Sequence, residues 1–261
     1  GYTPRSARSA QATVTIAVQT NVTTNAQGVI TKGYPQTVTL SQGLVLNFTG
    51  LDNNNFVFSI PSDVTVSVDS TTGIATFSNL IVYEGVYLTD TFVRNTTERQ
   101  RFILTNESVD TSSMKIEVTS GTVVERYLQA TDITKIDSTS KVYFLEESEY
   151  GRPEIMFGDG TLGQDLSNGD VVEVTYTTSS GNGANGLLSF TNIGSFLDDS
   201  ANSLTSGITV TLNSRPEGGA AAETKEGIKF SAPKFYSAFG RAVSTQDYEA
   251  IVPQIYPNVA S

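Results

Sequence analysis

Residues 13–18 have the sequence Thr-Val-Thr-Ile-Ala-Val, and residues 64–68 have the sequence Val-Thr-Val-Ser-Val. In both stretches apolar side chains alternate with small polar ones, so that Val14, Ile16 and Val18 share one face. Successive side chains of a β-strand point to opposite faces, and a period of two is typical of a strand with one buried face. These two stretches predict a fold built from half-buried strands.

The same signal recurs along most of the chain. Runs of Asn, Asp, Ser, Thr and Gly separate the apolar stretches, for example at 52–55 and 167–170, and these residue types favour turns. Many short strands joined by turns are typical of sandwiches or barrels with mostly antiparallel sheets. Further predicted strands are 44–48, 56–60, 74–77, 80–83, 86–93, 102–104, 114–118, 123–128, 142–145, 154–157, 171–177, 187–190 and 208–212.

The C-terminal part of the chain has a helical pattern. Residues 216–222 contain Pro, Gly and Ala and predict a flexible joint. A helix is predicted at 223–232 and ends before Pro233, because proline lacks the amide donor that a helix uses and disfavours helix in the preceding residue. A second helix is predicted at 244–252. Its signals are the capping pair Ser244 and Asp247 and the apolar stripe Tyr248, Ile251 and Val252.

The chain is therefore predicted to be mainly β. We expect a β-rich α+β protein in which antiparallel sandwich-like or barrel-like sheets precede a short helical C-terminal segment. The predicted domains are a β-rich domain at 1–104, a second β-rich domain with long hairpins at 105–215, and at 216–261 a linker and helical segment that begin a further domain.

Composition excludes several classes of chemistry. The 261 residues include no cysteine and no histidine, and the formal net charge is -11. Thiol nucleophiles, Cys/His zinc sites and imidazole acid/base catalysis are therefore absent. An acidic chain is a poor partner for nucleic acid, which is bound through Lys and Arg. No apolar stretch approaches the ~18 residues of a membrane span, so neither nucleic acid nor membrane is an expected partner.

Two segments match the glycine spacing G-x-G-x-x-G, at 158–163 and at 181–186. Dinucleotide binding requires a strand before this loop and a helix after it, so that the helix N-terminus faces the pyrophosphate. Neither segment is followed by a helical pattern. We interpret both as hairpin turns, in which Gly, Asn and Asp supply the positive φ angles, and we predict no cofactor.

Acidic residues flank a predicted turn at 150–153, namely Glu146, Glu147, Glu149, Glu154 and Asp159. A carboxylate pair is the catalytic device of glycoside hydrolases. Adjacent strand residues such as Glu146 and Glu147 point to opposite faces, however, and a solvated acidic rim is the favoured interpretation. Calcium at Asp159 or at 198–199 is a weaker alternative, because no loop has the ligand spacing of an EF-hand. We predict no catalytic and no metal-binding residues.

Candidate interface residues come from three places in the sequence. A basic patch of Arg94, Arg99 and Arg101 stands out in an acidic chain. The bidentate geometry of arginine suits an acidic neighbouring subunit, although a solvated strand end is an equal alternative. Exposed aromatic and polar groups are expected in the loops at 150–163 and on the predicted helix at 244–252. The candidates are Arg94, Arg99, Arg101, Tyr150, Arg152, Tyr248 and Ile251.

Three groups of segments also resemble one family of proteins. They are residues 1–10, then 142–147 with 154–160 and 183–186, then 232–235 with 241–249 and 256–260. In this order they resemble the baseplate wedge subunit of contractile-tailed bacteriophages, the product of gene six in the T-even group, which is related to the baseplate J-like proteins. The resemblance implies an internal portion of the family's full-length chain.

The resemblance implies a structural function and no enzymatic one. Copies of such a subunit link neighbouring wedges into a ring around the tail hub and take part in baseplate assembly and in its rearrangement when the sheath contracts. The implied partners are other copies of the chain and other baseplate wedge proteins, without a small-molecule substrate. The implied location is the tail baseplate of the virion, assembled in the host cytoplasm.

Two alternatives remain at this point. A β-sandwich adhesin or carbohydrate-binding module would also be Thr-rich and acidic, and it would place exposed aromatic side chains on a concave face. A hydrolase acting through Glu146 or Glu154 is the third hypothesis.

Overall fold

The computed structural model describes residues 3–20, 25–27, 30, 35–50, 53–98, 100–131 and 133–238, together with residues 245, 248 and 252. The strands are β1 (Gln11–Gln19), β2 (Thr37–Leu40), β3 (Gly43–Thr49), β4 (Asn55–Ile60), β5 (Val64–Ser67), β6 (Ile74–Glu84), β7 (Tyr87–Val93), β8 (Arg101–Ile103), β9 (Val109–Ser120), β10 (Val123–Gln129), β11 (Val142–Glu147), β12 (Pro153–Phe157), β13 (Val171–Thr178), β14 (Phe190–Asn192), β15 (Phe196–Asp198), β16 (Ser203–Leu204) and β17 (Ile208–Glu217). They are followed by the helix α1 (Lys225–Ala238).

The chain forms two compact units, each assembled from separate stretches of sequence. The two-sheet unit contains residues 9–87 and 180–219, and the one-sheet unit contains 1–8, 88–179 and 220–261. This grouping differs from the contiguous ranges 1–104, 105–215 and 216–261. The physical reason is that β17, late in the sequence, pairs with β1, so that both ends of the two-sheet unit's sequence lie in one sheet.

The two-sheet unit consists of a six-stranded and a four-stranded sheet. Their strand orders are β14-β3-β4-β6-β1-β17 and β16-β15-β2-β5. The alternating residues Val14, Ile16 and Val18 are all 0% exposed. Phe77 on β6 meets Phe196 on β15 edge to face at 5.8 Å between ring centroids. This contact joins the two sheets through their shared apolar core.

One strand replaces two predicted ones in this unit. Residues 74–77 and 80–83 were expected to be separate strands, but β6 runs without interruption through both. Asn79 has a positive φ of 51°. The register of β6 with β1 shifts between Val14 and Ile16. The extra residue forms a β-bulge, which keeps the apolar residues on either side of it directed into the core.

The one-sheet unit consists of a seven-stranded sheet in the order β7-β13-β9-β10-β11-β12-β8. The pairing of β10 with β11 is parallel. Tyr176, Ile116 and Leu104 are 0% exposed in its core. Rings of Phe92 on β7 and Phe102 on β8 lie 5.3 Å apart, so that the two end strands of this sheet approach each other across the core.

The predicted fold class is confirmed. The molecule is mostly β, its antiparallel sheets form nearly closed barrel-like shapes, and a short helix follows near the C-terminus. The strand predicted at 187–190 begins only at Phe190. The short strands β2, β15 and β16 were not predicted, because two to four residues give too little alternation to separate a strand from a turn.

The prediction that Pro233 ends the first helix is wrong. Thr224 Oγ1 accepts a hydrogen bond from Gly227 N at 3.1 Å and caps the start of α1. Pro233 lies inside the helix and is exposed, so it removes one hydrogen bond without ending the helix. No helix among the described residues is long and apolar enough to cross a membrane.

The predicted second helix lies mostly outside the described residues. Residues 245, 248 and 252 are helical. The capping pair Ser244 and Asp247, and Ile251 of the apolar stripe, are outside the described part of the chain.

Truncating an aromatic ring in the core should destabilise the two-sheet unit strongly. Phe58 is 0% exposed, and its ring centroid lies 4.7 Å from that of Phe48. We expect Phe58→Ala to lower the free energy of unfolding by about 3–5 kcal/mol in urea titration. The control Ile81→Ala, at a strand position that is 47% exposed, should cost less than about 1 kcal/mol. Equal losses would contradict the assigned core.

Candidate functional site

Arg94 of the predicted basic patch is a buried residue of the one-sheet unit, with 8% of its surface exposed. Its Nη1 donates to the backbone oxygens of Asn95 and Glu98, the latter at 2.8 Å. Its backbone N donates to Asp170 O, and its backbone O accepts from Gly169 N, both at 2.8 Å. The guanidinium therefore organises the loop after β7 and presents little surface to a partner.

Arg101 is engaged by Glu154. Its Nε and Nη2 donate to the two carboxylate oxygens, the second at 2.9 Å. The Arg101 side chain is 45% exposed, and that of Glu154 is 2% exposed. The hydrogen bond and the negative charge of Glu154 raise the pKa of Arg101. Because a buried carboxylate requires a compensating charge, this bidentate pair is structural. Arg99 lies outside the described residues.

Tyr150 is presented by a tightly bonded turn between β11 and β12. Ser148 N donates to Arg152 O at 2.8 Å, and Gly151 N donates to Ser148 O at 2.9 Å. Arg152 N also donates to Ser148 Oγ at 3.2 Å. Gly151 has a φ of +74°, which glycine adopts without strain. Tyr150 is 72% exposed, and Arg152 is half-buried. The turn therefore exposes one aromatic side chain on a backbone that hydrogen bonds hold in place.

The N-terminal segment 3–8 is fixed within the one-sheet unit by polar contacts. Ser6 Oγ bonds Thr111 Oγ1 at 2.8 Å and accepts from Thr111 N at 3.1 Å. Arg8 and Ala220 exchange two backbone hydrogen bonds, at 2.8 and 3.0 Å. This bridge places the start of α1 beside the N-terminal segment. The sequence analysis did not predict this backbone bridge, because segment 3–8 has no hydrophobic periodicity.

These contacts form an acidic groove of about 210 Å³ within the one-sheet unit. Its acidic lining residues are Glu107, Glu146, Glu147 and Glu223. Arg5 is the basic residue of the groove, and its Nη2 lies 3.9 Å from Glu223 Oε1. Such a lining suits the cationic side chain of a Lys or Arg supplied by a partner.

Helix α1 displays aromatic side chains. None of its side chains from Lys225 to Ser237 is buried. Phe230 is 62% exposed and Tyr236 is 58% exposed. Lys234 Nζ lies 3.7 Å from the centre of the Phe230 ring, a cation–π contact. Sequence analysis missed Tyr236 as a helical residue because Pro233 was expected to end the helix.

Tyr248 is helical and 54% exposed. An exposed aromatic side chain was expected in this segment, and its role at an interface stays a prediction. Ile251, its predicted neighbour on the apolar stripe, lies outside the described residues.

Neither glycine-rich segment is a hairpin turn, which corrects our prediction. Segment 158–163 joins β12 to β13, and 181–186 joins β13 to β14, and in neither case are the joined strands neighbours. A Cβ on Gly158 would lie 2.2 Å from the carbonyl carbon of Gly163, so this loop closes on itself and requires glycine. In the described structure the next element after each segment is a strand, β13 after 158–163 and β14 after 181–186, as opposed to the helix that dinucleotide binding requires.

Among the aspartates considered for calcium, Asp159 and Asp198 bind their own loops, whereas Asp199 accepts a hydrogen bond from Gln36 N at 2.7 Å. Asp159 Oδ1 accepts from Thr161 N and Leu162 N, both at 2.9 Å. The bonds from Leu162 and Thr161 lower the pKa of Asp159. Asp198 likewise accepts from Asn202, which lowers the pKa of that carboxyl. Among the described residues, no group of three or more acidic side chains is arranged to hold a metal ion.

No protein-family model matches the chain, and no curated protein does. The roles assigned to Tyr150, to the acidic groove and to α1 therefore rest on their geometry and on the sequence.

Removing Arg101 should destabilise the protein. Arg101→Ala leaves Glu154 as a buried carboxylate without its partner. We expect a lower urea midpoint at neutral pH, because a buried charge without a compensating partner is unfavourable. The double variant Arg101→Ala/Glu154→Gln should recover most of this loss. An equal loss in both variants would contradict the structural role of this pair.

Proposed function

We propose that the chain is a structural subunit of a phage tail baseplate wedge. In this role it links neighbouring wedges into a ring around the tail hub and takes part in assembly and in the rearrangement on sheath contraction. Its partners are other copies of the chain and other wedge proteins, and it acts in the virion. The residue resemblance supports the family, in segments 1–10, 142–147, 154–160, 183–186, 232–235, 241–249 and 256–260. The exposed aromatic helix supports an assembly role.

Helix α1 is the observation that carries the assembly role. Gly227 and Pro233 within it lower its intrinsic stability by about 1 and 3 kcal/mol relative to alanine. Most helices in proteins are stabilised by packing of an apolar face, yet none of the described side chains of α1 is buried. Phe230 and Tyr236 instead face solvent. A partner that covers these rings would supply the missing packing, and aromatic residues are enriched at such interfaces.

The turn at 148–152 offers a second contact. Its backbone hydrogen bonds fix Tyr150 before any partner arrives, which lowers the entropy cost of binding. The acidic groove beside it accepts a cationic side chain. An aromatic anchor next to a charged groove is a common arrangement at protein interfaces.

The alternative functions are less well supported. A carbohydrate-binding module is expected to place exposed aromatic side chains together on a concave face. In the described structure the strongly exposed aromatics are Tyr150, Phe230, Tyr236 and Tyr248, and these lie in a turn and in helical residues. Of the two carboxylates that the hydrolase hypothesis names, Glu146 and Glu154, the second is bound by Nε and Nη2 of Arg101.

Particle labelling tests the proposed location. A gold-tagged antibody raised against this chain should label the distal end of purified contractile tails, around the baseplate rim, in negative-stain electron microscopy. Label on fibres or capsids, or on no particle, would contradict the wedge function and favour the glycan-binding alternative. Particles treated with preimmune antibody serve as the control.

Replacing the exposed rings of α1 should impair assembly without unfolding the chain. We expect Phe230→Ser/Tyr236→Ser to change the free energy of unfolding by less than about 0.5 kcal/mol, because both side chains are more than half exposed. Co-sedimentation with the other wedge proteins should be lost. Lys229→Ala, an exposed change on the same helix, should retain binding. Unimpaired co-sedimentation of the double variant would show that α1 is not an interface.

A further inference from the structure

Strand β17 has an unpaired edge among the described strands. It is ten residues long and lies at the end of the six-stranded sheet, where it pairs with β1 on one side. A terminal strand exposes a row of backbone N–H and C=O groups and can accept a further strand.

The hydrogen-bonding pattern shows which backbone groups face outward. Gln19 N donates to Gly207 O at 2.9 Å, and the register from there pairs Ala17 with Thr209 and continues to Thr211. Bonded pairs alternate along an antiparallel ladder. Thr209 and Thr211 therefore bond β1, and the even-numbered residues of 208–212 direct their backbone groups away from it.

The side chains of this edge are only partly covered. Ile208, Val210 and Leu212 pack against the core of the two-sheet unit but remain half-buried. Their neighbours on β1, Val14, Ile16 and Val18, are 0% exposed because strands flank them on both sides. A further strand beside β17 would cover the remaining apolar surface.

This edge also lacks the features that prevent strand pairing. Other end strands of the same unit are short, with three residues in β14, two in β16 and four in β5. Residues 208–212 of β17 have no charge, no proline and no glycine. Arg215 and Pro216 come only at the far end, where Pro216 O accepts from Gly186 N at 2.7 Å. Charges and proline are the usual protection of an edge.

We propose that β17 pairs antiparallel with β17 of a second copy of this chain, about a two-fold axis at Val210. This register matches the outward backbone groups of residues 208–212 on both strands. It places Ile208 opposite Leu212 of the second copy, and Thr209 opposite Thr211 of the second copy. An isologous contact must be self-complementary, and this one opposes apolar to apolar and threonine to threonine.

Charge explains why this segment suits a second copy. The chain has a net charge of -11, so most of its surfaces repel another copy. The uncharged segment 208–212 brings no like charges together in the proposed register. Five paired residues bury far less than the about 1,600 Å² of a stable interface, so the contact is weak alone and strengthened by multivalency in an assembly. The inference deepens the assembly role and rests on that proposed function.

Paired charge substitutions test both the contact and its register. Thr209 and Thr211 are exposed, so that lysine or glutamate is tolerated there, as far-UV circular dichroism should verify. In Thr209→Lys/Thr211→Lys, lysines of the two copies oppose each other. In the matched control Thr209→Lys/Thr211→Glu, each lysine opposes a glutamate. Sedimentation equilibrium of the 261-residue chain over a concentration series measures the dimer dissociation constant.

Because the contact is weak alone, we expect a wild-type dimer at the upper end of the concentration series. We expect a control that dimerises at least as tightly and a lysine/lysine variant that binds at least about tenfold more weakly. The lysine/lysine variant carries less net negative charge than the control. If repulsion between net charges alone governed association, the lysine/lysine variant would therefore dimerise more tightly than the control. A monomeric wild type, or equal dissociation constants in all three proteins, would overturn the contact. Loss of dimerisation in both variants would overturn the register. None of these results depends on particle labelling, so the two proposals fail separately.

Discussion

The pairing of β1 on both sides is the constraint on which the two-sheet unit depends. β1 joins β6 on one side and β17 on the other, so residues from three distant parts of the chain share one set of backbone hydrogen bonds. Val14, Ile16 and Val18 are fully buried as a result. Because buried backbone groups must be paired, β1 needs a strand on each side, and in sequence order the chain returns to it with β17 only after residues 88–179 of the other unit. The discontinuous composition of both units follows from this return.

The few cations near the predicted basic patch serve the fold of the one-sheet unit. Arg94 binds loop carbonyls, and Arg101 neutralises the buried Glu154. Arginine in an acidic chain is therefore poor evidence for a docking surface by itself. A guanidinium satisfies several acceptors at once, and internal carbonyls and carboxylates compete for it before any partner does.

The surfaces that remain available are of three physical kinds. α1 and Tyr150 expose aromatic rings, the groove beside the N-terminal segment is acidic, and β17 exposes backbone groups at its edge. Apolar burial, charge complementarity and strand addition are different sources of binding energy. These three surfaces are the basis of the assembly role that we propose.

The sequence by itself determined the fold class and most of the strands. Alternation at 13–18, 64–68 and 171–177 requires one buried face, and this holds whatever the partner strand is. The sequence also predicted that Tyr150 is exposed, because the turn residues at 150–153 are enough to indicate the turn that contains it. The bulge at Asn79 and the persistence of α1 through Pro233 were not predictable, because neighbouring hydrogen bonds outweigh the local preference at those positions.

Only the tertiary structure decided which strands pair with each other and which charged side chains form ion pairs within the protein. No local pattern shows that β17 returns to β1, or that Arg101 meets Glu154 across β8 and β12. Such contacts depend on the loop entropy and packing of the whole chain, and every strand with a period of two is a possible partner for every other. Sequence periodicity therefore fixes which face of a strand is buried, whereas long-range pairing fixes its neighbours and the edge that is left open.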